Sequence, residues 1–174
     1  MYGVSGPAGS GKSVIAMSLL KHCAAMGFQL VGGDSYFRGG EGSLKPYVND
    51  SWEEYDWQRL EEEVVRPWHN GESGIYTPTD WTTDQAGEPV TIDPDRPVII
   101  DCVGLFTPER LAWFTGARVW NDYPIEEAAR AGMQRTESEY WPTWAATDVQ
   151  YNLRYNPKRL ATFVFNRIAA EIHR

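Results

Sequence analysis

Apolar and polar positions alternate with two different periods along this chain, and the periods predict a succession of short strands and amphipathic helices. The run Tyr2-Gly3-Val4 reads as a short buried strand, followed by a glycine-rich turn. From Ser13 to Met26, Val14, Met17, Leu20 and Ala24 recur at helical spacing, and Gly27 supplies the natural stop. Phe28-Gln29-Leu30-Val31 predicts a second strand running into Gly32-Gly33-Asp34, and the glycine-rich stretch 38–43 predicts a loop. A helix is expected over about Trp52 to Val65, ended by Pro67. Residues 70–97 are rich in proline and glycine with little periodicity, which predicts turns and a hairpin. Order returns with the strand Val98-Ile99-Ile100-Asp101, then a strand at Arg118-Val119-Trp120 and a helix from Pro124, suited to a first turn, to about Gln134. A helix over Glu139 to Tyr155, despite Pro142, and a last strand Thr162–Phe165 complete the series. This alternation, without internal repeats, predicts an α/β fold with a mainly parallel sheet flanked by helices. Only five residues precede the first glycine of the turn, which leaves little backbone for the first strand to pair.

Composition narrows the picture. A chain of 174 residues that is 42% hydrophobic can bury one good core and is short for two, so residues 1–174 are read as a single domain. No apolar run approaches the roughly 18 residues of a membrane span and no signal segment opens the chain, so a cytoplasmic protein with no membrane partner is expected. Cys23 and Cys102 both lie in apolar stretches and are expected to be buried, reduced thiols. The net charge of −8 argues against a continuous phosphate-tracking surface, although Arg130, Arg135, Arg154, Lys158 and Arg159 gather basic charge in the C-terminal half. Residues 50–63 are strongly acidic.

The chemistry is concentrated at Gly6-Pro7-Ala8-Gly9-Ser10-Gly11-Lys12-Ser13, a complete G-x-x-x-x-G-K-[ST] phosphate-binding loop between a predicted strand and a predicted helix. Backbone N–H groups there would cradle phosphates at a helix N-terminus, with Val14 in the first turn. Lys12 would reach the β- and γ-phosphates and the Ser13 hydroxyl would hold Mg²⁺. The loop therefore predicts ATP and Mg²⁺ as cofactors. Asp101 closes a buried strand in the Walker-B manner and is the second candidate for Mg²⁺. Asp34 falls just past a strand end, where open parallel sheets bind ligands.

These motifs, with Asp34-Ser35-Tyr36, Glu54-Tyr55-Asp56-Trp57 and the ending Asn156-Pro157-Lys158-Arg159-Leu160-Ala161, resemble P-loop kinases of the uridine kinase and phosphoribulokinase group. The resemblance covers most of the chain and implies a nucleoside-kinase-like P-loop fold with a short helical lid. It implies that Asp34 is the general base, that Asp50 and Tyr36 help hold the acceptor, and that Arg130 and Arg135 lie in the lid. Of the two arginines, Arg135, at the end of its helix, is preferred.

The stretch Thr79-Asp80-Trp81-Thr82-Thr83-Asp84-Gln85-Ala86 departs from the Tyr-Asp-Phe, histidine and arginine that uridine kinases carry for the nucleoside. The chain is also similar to compact phage kinases acting on the hydroxymethyl group of hydroxymethyluracil in DNA. The expected acceptor is thus a primary hydroxyl on a pyrimidine nucleoside or on a hydroxymethylated pyrimidine in DNA, in the host cytoplasm if the chain is phage-encoded. Trp52, Trp57, Trp81, Trp141 and Trp144 could border that site, Trp81 being the candidate substrate contact. A regulatory or non-catalytic nucleotide-binding module is the alternative, although a guanine-reading Asn-Lys-x-Asp segment is absent. The oligomeric state, a homo-oligomer included, stays open.

Overall fold

The computed structural model describes residues 1–38, 45–80, 83 and 85–166. In chain order the elements are β1 (Tyr2–Ser5), α1 (Lys12–His22), β2 (Gln29–Gly32) and a helix α2 made of Trp57–Leu60, a π-helical turn Glu61–Val65 and Arg66–His69. Four short strands follow, β3 (Gly74–Tyr76), β4 (Thr79–Asp80), β5 (Gln85–Ala86) and β6 (Val90–Ile92). The chain continues with β7 (Val98–Asp101), β8 (Arg118–Asn121), α3 (Ile125–Arg135), α4 (Trp141–Tyr155), α5 (Pro157–Leu160) and β9 (Phe163–Phe165). Five strands form one parallel sheet in the order β2-β7-β1-β8-β9. Short as it is, β1 is the central strand, paired with β7 on one side and β8 on the other.

Alternation along the strands divides the core. Val4, Ile99, Leu30 and Val119 face α1, packing with Ala16, Ile15 and Leu19. Val31, Val98, Ile100 and Trp120 face the opposite layer, where Leu60, Val64, Phe106, Phe114 and Tyr151 close over them. A one-residue slip would exchange these two sets, so burial on both faces fixes the register. The core face of α1 differs from the expected one. Val14 and Met17 are exposed, and Ile15, Ala16 and Leu19 point inward instead, because the buried Lys12 sets the helix's inner side at its first turn.

The boundaries of α2 also differ from expectation. The helix begins at Trp57 rather than Trp52, because Trp52 adopts a left-handed φ of 56° and Asp56 caps the first turn by accepting the Arg59 N–H at 3.0 Å. Pro67 does not end it. The wide π turn directly before Pro67 accommodates a ring that would otherwise clash with the carbonyl four residues back. In α4 the start moves to Trp141, which places Pro142 in the first turn where its missing N–H costs nothing. Pro124 is the N-cap of α3 rather than its first helical residue. The region read as turns and a hairpin contains two small antiparallel ribbons, β3 with β6 and β4 with β5. Of the cysteines, Cys102 is buried as expected whereas Cys23 is only half-buried, and both are free. No helix among the described residues is long and apolar enough to cross a membrane.

Candidate active site

The sheet brings three loops to one edge. In register, Val4 lies opposite Asp101, and Asp101 lies opposite Gly32, so β1, β7 and β2 all end at the same level. The phosphate loop leaves β1 there, Asp101 closes β7, and Asp34 follows β2 in a short 3-10 turn. Gly33 permits that turn to hug the sheet, since a Cβ at this position would stand 2.3 Å from the Cβ of Cys102.

The loop itself is built by conformation and by two anchors. Gly9 has φ 80° and Gly11 φ 85°, and Gly11 caps α1 without any side-chain hydrogen bond. As at any helix start, the first N–H groups of α1 lack intrahelical partners, and with no side chain capping them they are available to an anion. The Asn121 side-chain amide at the end of β8 donates to the Ser10 carbonyl at 2.8 Å, and the Asp148 carboxylate on α4 accepts the Ala8 N–H at 2.8 Å. Gly9 also sets the distance to α3, because a Cβ there would lie 2.2 Å from the Ala128 carbonyl oxygen. Gly9→Ala is therefore expected to cost roughly 1–2 kcal/mol from left-handed backbone alone, with displacement of α3 added. A thermal melt should show a clear drop in Tm.

Lys12 is the electrostatic centre. It is 7% exposed. Burial pushes its ammonium toward neutrality, but the nearby Asp34, Asp101 and Asp148 carboxylates outweigh that and hold it above its ordinary value, so it stays charged. Asp101, also 7% exposed, is pushed up by burial and drawn back by Lys12 and the Ser13 hydroxyl. Its Oδ1 is buried without a hydrogen-bond partner. An orphaned carboxylate oxygen beside a serine hydroxyl is a donor set that suits a hard divalent cation retaining its waters, so Ser13 and Asp101 fit Mg²⁺. Among the described residues no cluster of three His, Cys, Asp or Glu side chains forms a dedicated metal cage.

Beside the loop opens a cavity of about 490 Å³. Lys12, Ala8 and Gly9 form the end nearest the loop, Asp34 stands in its wall, and Phe37, Trp52, Tyr55, Trp141 and Trp144 give it an aromatic lining. Asp34 is exposed, and its Oδ1 accepts the Tyr55 hydroxyl at 3.0 Å. Burial, then the Asp34 charge, raises the Tyr55 phenol well above its ordinary range, so Tyr55 stays protonated and acts as a donor. Edge-on contacts between Phe37 and Trp144 at 6.1 Å and between Trp141 and Trp144 at 5.0 Å hold the aromatic wall together. Arg135 and Thr136, at the end of α3, complete the rim.

The expected residues do not all meet here. Gly6 to Ser13, Asp34, Asp101 and Arg135 converge, as do Trp52, Trp141 and Trp144. Arg130 is exposed on the side of α3 turned away from the buried Ala128 and Gly132, and it is not among the residues lining the cavity. Asp50 lies outside the cavity and pairs with Arg154 at 2.5 Å. Tyr36 is wholly buried in the core, stacked on Tyr76 and covered by the Arg59 guanidinium at 4.5 Å from its ring. Trp57 stacks on Tyr55 and meets Arg110, behind the cavity wall rather than in it. Val14, in the first turn of α1, is exposed. Trp81 falls outside the described residues. Conversely, Tyr55, Asn121 and Asp148 take part in the site without having been expected there. Asp148 is an acid in the middle of a helix next to Ala145, Ala146 and Thr147, a placement that signals either solvent or a buried partner, and only the fold distinguishes them.

No family model matches the sequence, and no curated protein matches it either. Solved structures do. The fold is that of the P-loop kinases, an α/β architecture with a five-stranded parallel sheet flanked by helices. A protein described as a possible uridine kinase from Bacillus stearothermophilus superposes with a TM-score of 0.71 at 18% identity, over 94% of this chain and 86% of that one. Phosphoribulokinase from Rhodobacter spheroides gives 0.63 at 14% identity, over 95% and 70% of the two chains. A gluconokinase from Sinorhizobium meliloti gives 0.54 at 16% identity, over 95% and 81%.

Proposed function

We propose that this protein is an ATP- and Mg²⁺-dependent phosphotransferase that moves the γ-phosphoryl group to a primary hydroxyl on a pyrimidine-type acceptor. The observation that carries this reading is one cavity with a phosphate loop and Lys12 at one end, an accessible carboxylate in its wall and an aromatic lining. Phosphoryl transfer requires an aligned hydroxyl, charge neutralisation on the transferring group and exclusion of water, with little covalent help. Asp34, which lines the cavity, accepts the proton of the acceptor hydroxyl, and the Tyr55 O–H orients its carboxylate by donating to Oδ1. The Lys12 ammonium binds the β- and γ-phosphate oxygens. Arg135, from the rim, neutralises charge on the transferring group; this role is assigned to it rather than to Arg130. Ser13 and Asp101 would hold Mg²⁺, which would supply charge neutralisation at the phosphate oxygens.

The aromatic wall suits a flat ring. Phe37, Tyr55 and Trp144 present faces and edges at which a pyrimidine would stack, with its hydroxyl carried toward Asp34. Trp144→Ala is therefore expected to raise KM for the acceptor roughly 5- to 150-fold, the equivalent of a stacking loss of about 1–3 kcal/mol, while leaving ATP affinity unchanged. Steady-state kinetics with each substrate varied in turn checks this.

A free nucleoside and a hydroxymethylated base in DNA both carry the required hydroxyl. Two members of the C-terminal basic cluster are already engaged, Arg154 with Asp50 and Lys158 with Asp122 at 2.5 Å, which favours the small acceptor. The deciding experiment incubates the protein with γ-labelled ATP and Mg²⁺ against free pyrimidine nucleosides and, in parallel, DNA containing hydroxymethyluracil. Label on nucleoside identifies a small-molecule kinase, label on DNA a nucleic-acid-modifying enzyme, and label on neither overturns the proposal.

A further inference from the structure

Asp148 has no part in the transfer chemistry described above, yet it is one of the most buried acids in the protein, at 2% exposure. Its Oδ2 accepts the Ala8 N–H of the phosphate loop at 2.8 Å, across 140 residues of sequence. Trp141 and Trp144, on the same helix, line the acceptor cavity, so one element carries both an aromatic wall and an anion seated on the loop. The groups around Asp148 come from four parts of the fold. The Ala8 N–H faces it from the loop, the Lys12 ammonium from α1, the Trp52 indole and the Tyr55 hydroxyl from the segment before α2, and the Tyr151 hydroxyl from its own helix. Lys12 is the positive charge in that set, and it is shared with Asp34 and Asp101.

We propose that Asp148 is a positioning residue of the phosphate loop whose carboxylate occupies the Ala8 amide and competes with an incoming polyphosphate for Lys12, so that nucleotide binding is coupled to proton uptake at Asp148. The inference rests on the phosphotransferase reading only in taking ATP as the ligand. Ala8 and Lys12 both line the cavity where the terminal phosphate would lie. A second anion arriving there raises the cost of keeping a buried carboxylate charged. The proton comes from solvent and goes to the Asp148 carboxyl, and no bond in the nucleotide changes. A neutral carboxyl can still accept the Ala8 N–H through its carbonyl oxygen, so the tether survives. Burial already lifts this group to about 7, against the opposing pull of the Ala8 N–H and Lys12, which sets the coupling in the neutral range. By linkage, a ligand that raises the proton affinity of Asp148 is itself bound more tightly when Asp148 is protonated, hence more tightly at lower pH.

The test measures ATP binding by titration calorimetry from pH 6 to pH 8 for the unaltered protein and for Asp148→Asn, without acceptor. Comparing the two proteins cancels the titration of ATP itself. The unaltered protein is expected to lose about fivefold more affinity over that range than the variant, the consequence of a one-unit coupling on a group that starts at about 7, and at pH 8 the variant should bind more tightly. Equal pH dependence in both proteins would overturn the inference and leave the kinase reading standing. Failure of the unaltered protein to bind ATP would remove the kinase reading and this inference with it, whereas failure of a folded variant alone would overturn the inference and leave the kinase reading standing. If Asp148→Asn does not fold, the unaltered protein suffices. At pH 8 the nucleotide is fully ionised, so binding heats in buffers of different ionisation enthalpy should reveal net proton uptake, and zero uptake would overturn the proposal.

Discussion

Asp34→Asn is expected to reduce phosphoryl transfer by roughly 10²- to 10⁴-fold, the range associated with losing a general base, while leaving ATP affinity and thermal stability close to those of the unaltered protein. The asparagine is nearly isosteric, and its carbonyl oxygen can still accept the Tyr55 hydroxyl that now reaches Asp34 Oδ1 at 3.0 Å. Asp34 is exposed, so the substitution removes no buried charge. What the amide cannot do is take the proton from an acceptor hydroxyl. The effect should therefore fall on kcat, with little change in the Kd for nucleotide. Single-turnover transfer from labelled ATP, beside calorimetric binding of ATP, separates the two quantities. Undiminished transfer would remove Asp34 from the mechanism, and lost ATP binding would show that its role lies in the loop's electrostatics.

Much of this site is legible in the amino-acid sequence, and the reasons are local. A phosphate loop is contiguous, and its conformation follows from backbone geometry that Gly9 and Gly11 impose within eight residues. Asp34 and Asp101 are legible because acids directly after apolar strands fall at the carboxyl edge of a parallel sheet, and the register of Val4, Asp101 and Gly32 puts them there. Residues whose roles depend on distant partners are not legible. Asp148 acquires its place from an amide 140 positions away. Asp50 and Tyr36 match expected positions in the linear order but are directed elsewhere, one by Arg154 and the other by packing against Tyr76 and Arg59. The periodic assignment of Val14 and Met17 to the core fails for a related reason. In a helix that starts at a functional loop, the inner face is set by where Lys12 must point rather than by the most apolar stripe. The end of α2 departs from expectation because proline rules apply to regular α-helix and the π turn relaxes them.

Lys12→Met is the second change with a large expected effect, and it should act on catalysis and on stability through the same charge. On the proposed mechanism, removing the ammonium would take away a fixed donor to the transferring phosphate, an expected loss of roughly 10²–10³ in kcat, equivalent to about 3–4 kcal/mol of transition-state stabilisation. It also leaves Asp34, Asp101 and Asp148 without the cation they share. Lys12 is held above its ordinary value in the folded protein, so its contribution to stability is fully present below the lysine's unfolded value and disappears only as pH rises through the still higher folded one. The acids respond in the opposite sense to what isolated ion pairs would show. Burial has already raised Asp101 and Asp148, and without Lys12 opposing it both rise further. At pH 5 Asp148 is protonated in either protein, so losing Lys12 costs less there. At pH 8 the carboxylates must either stay charged in a buried site or take up protons. The Tm deficit of Lys12→Met should consequently be larger at pH 8 than at pH 5, as read from paired thermal melts. A deficit independent of pH would mean that Lys12 contributes through packing of its methylene stem, which methionine largely restores, and that the acids find their compensation elsewhere.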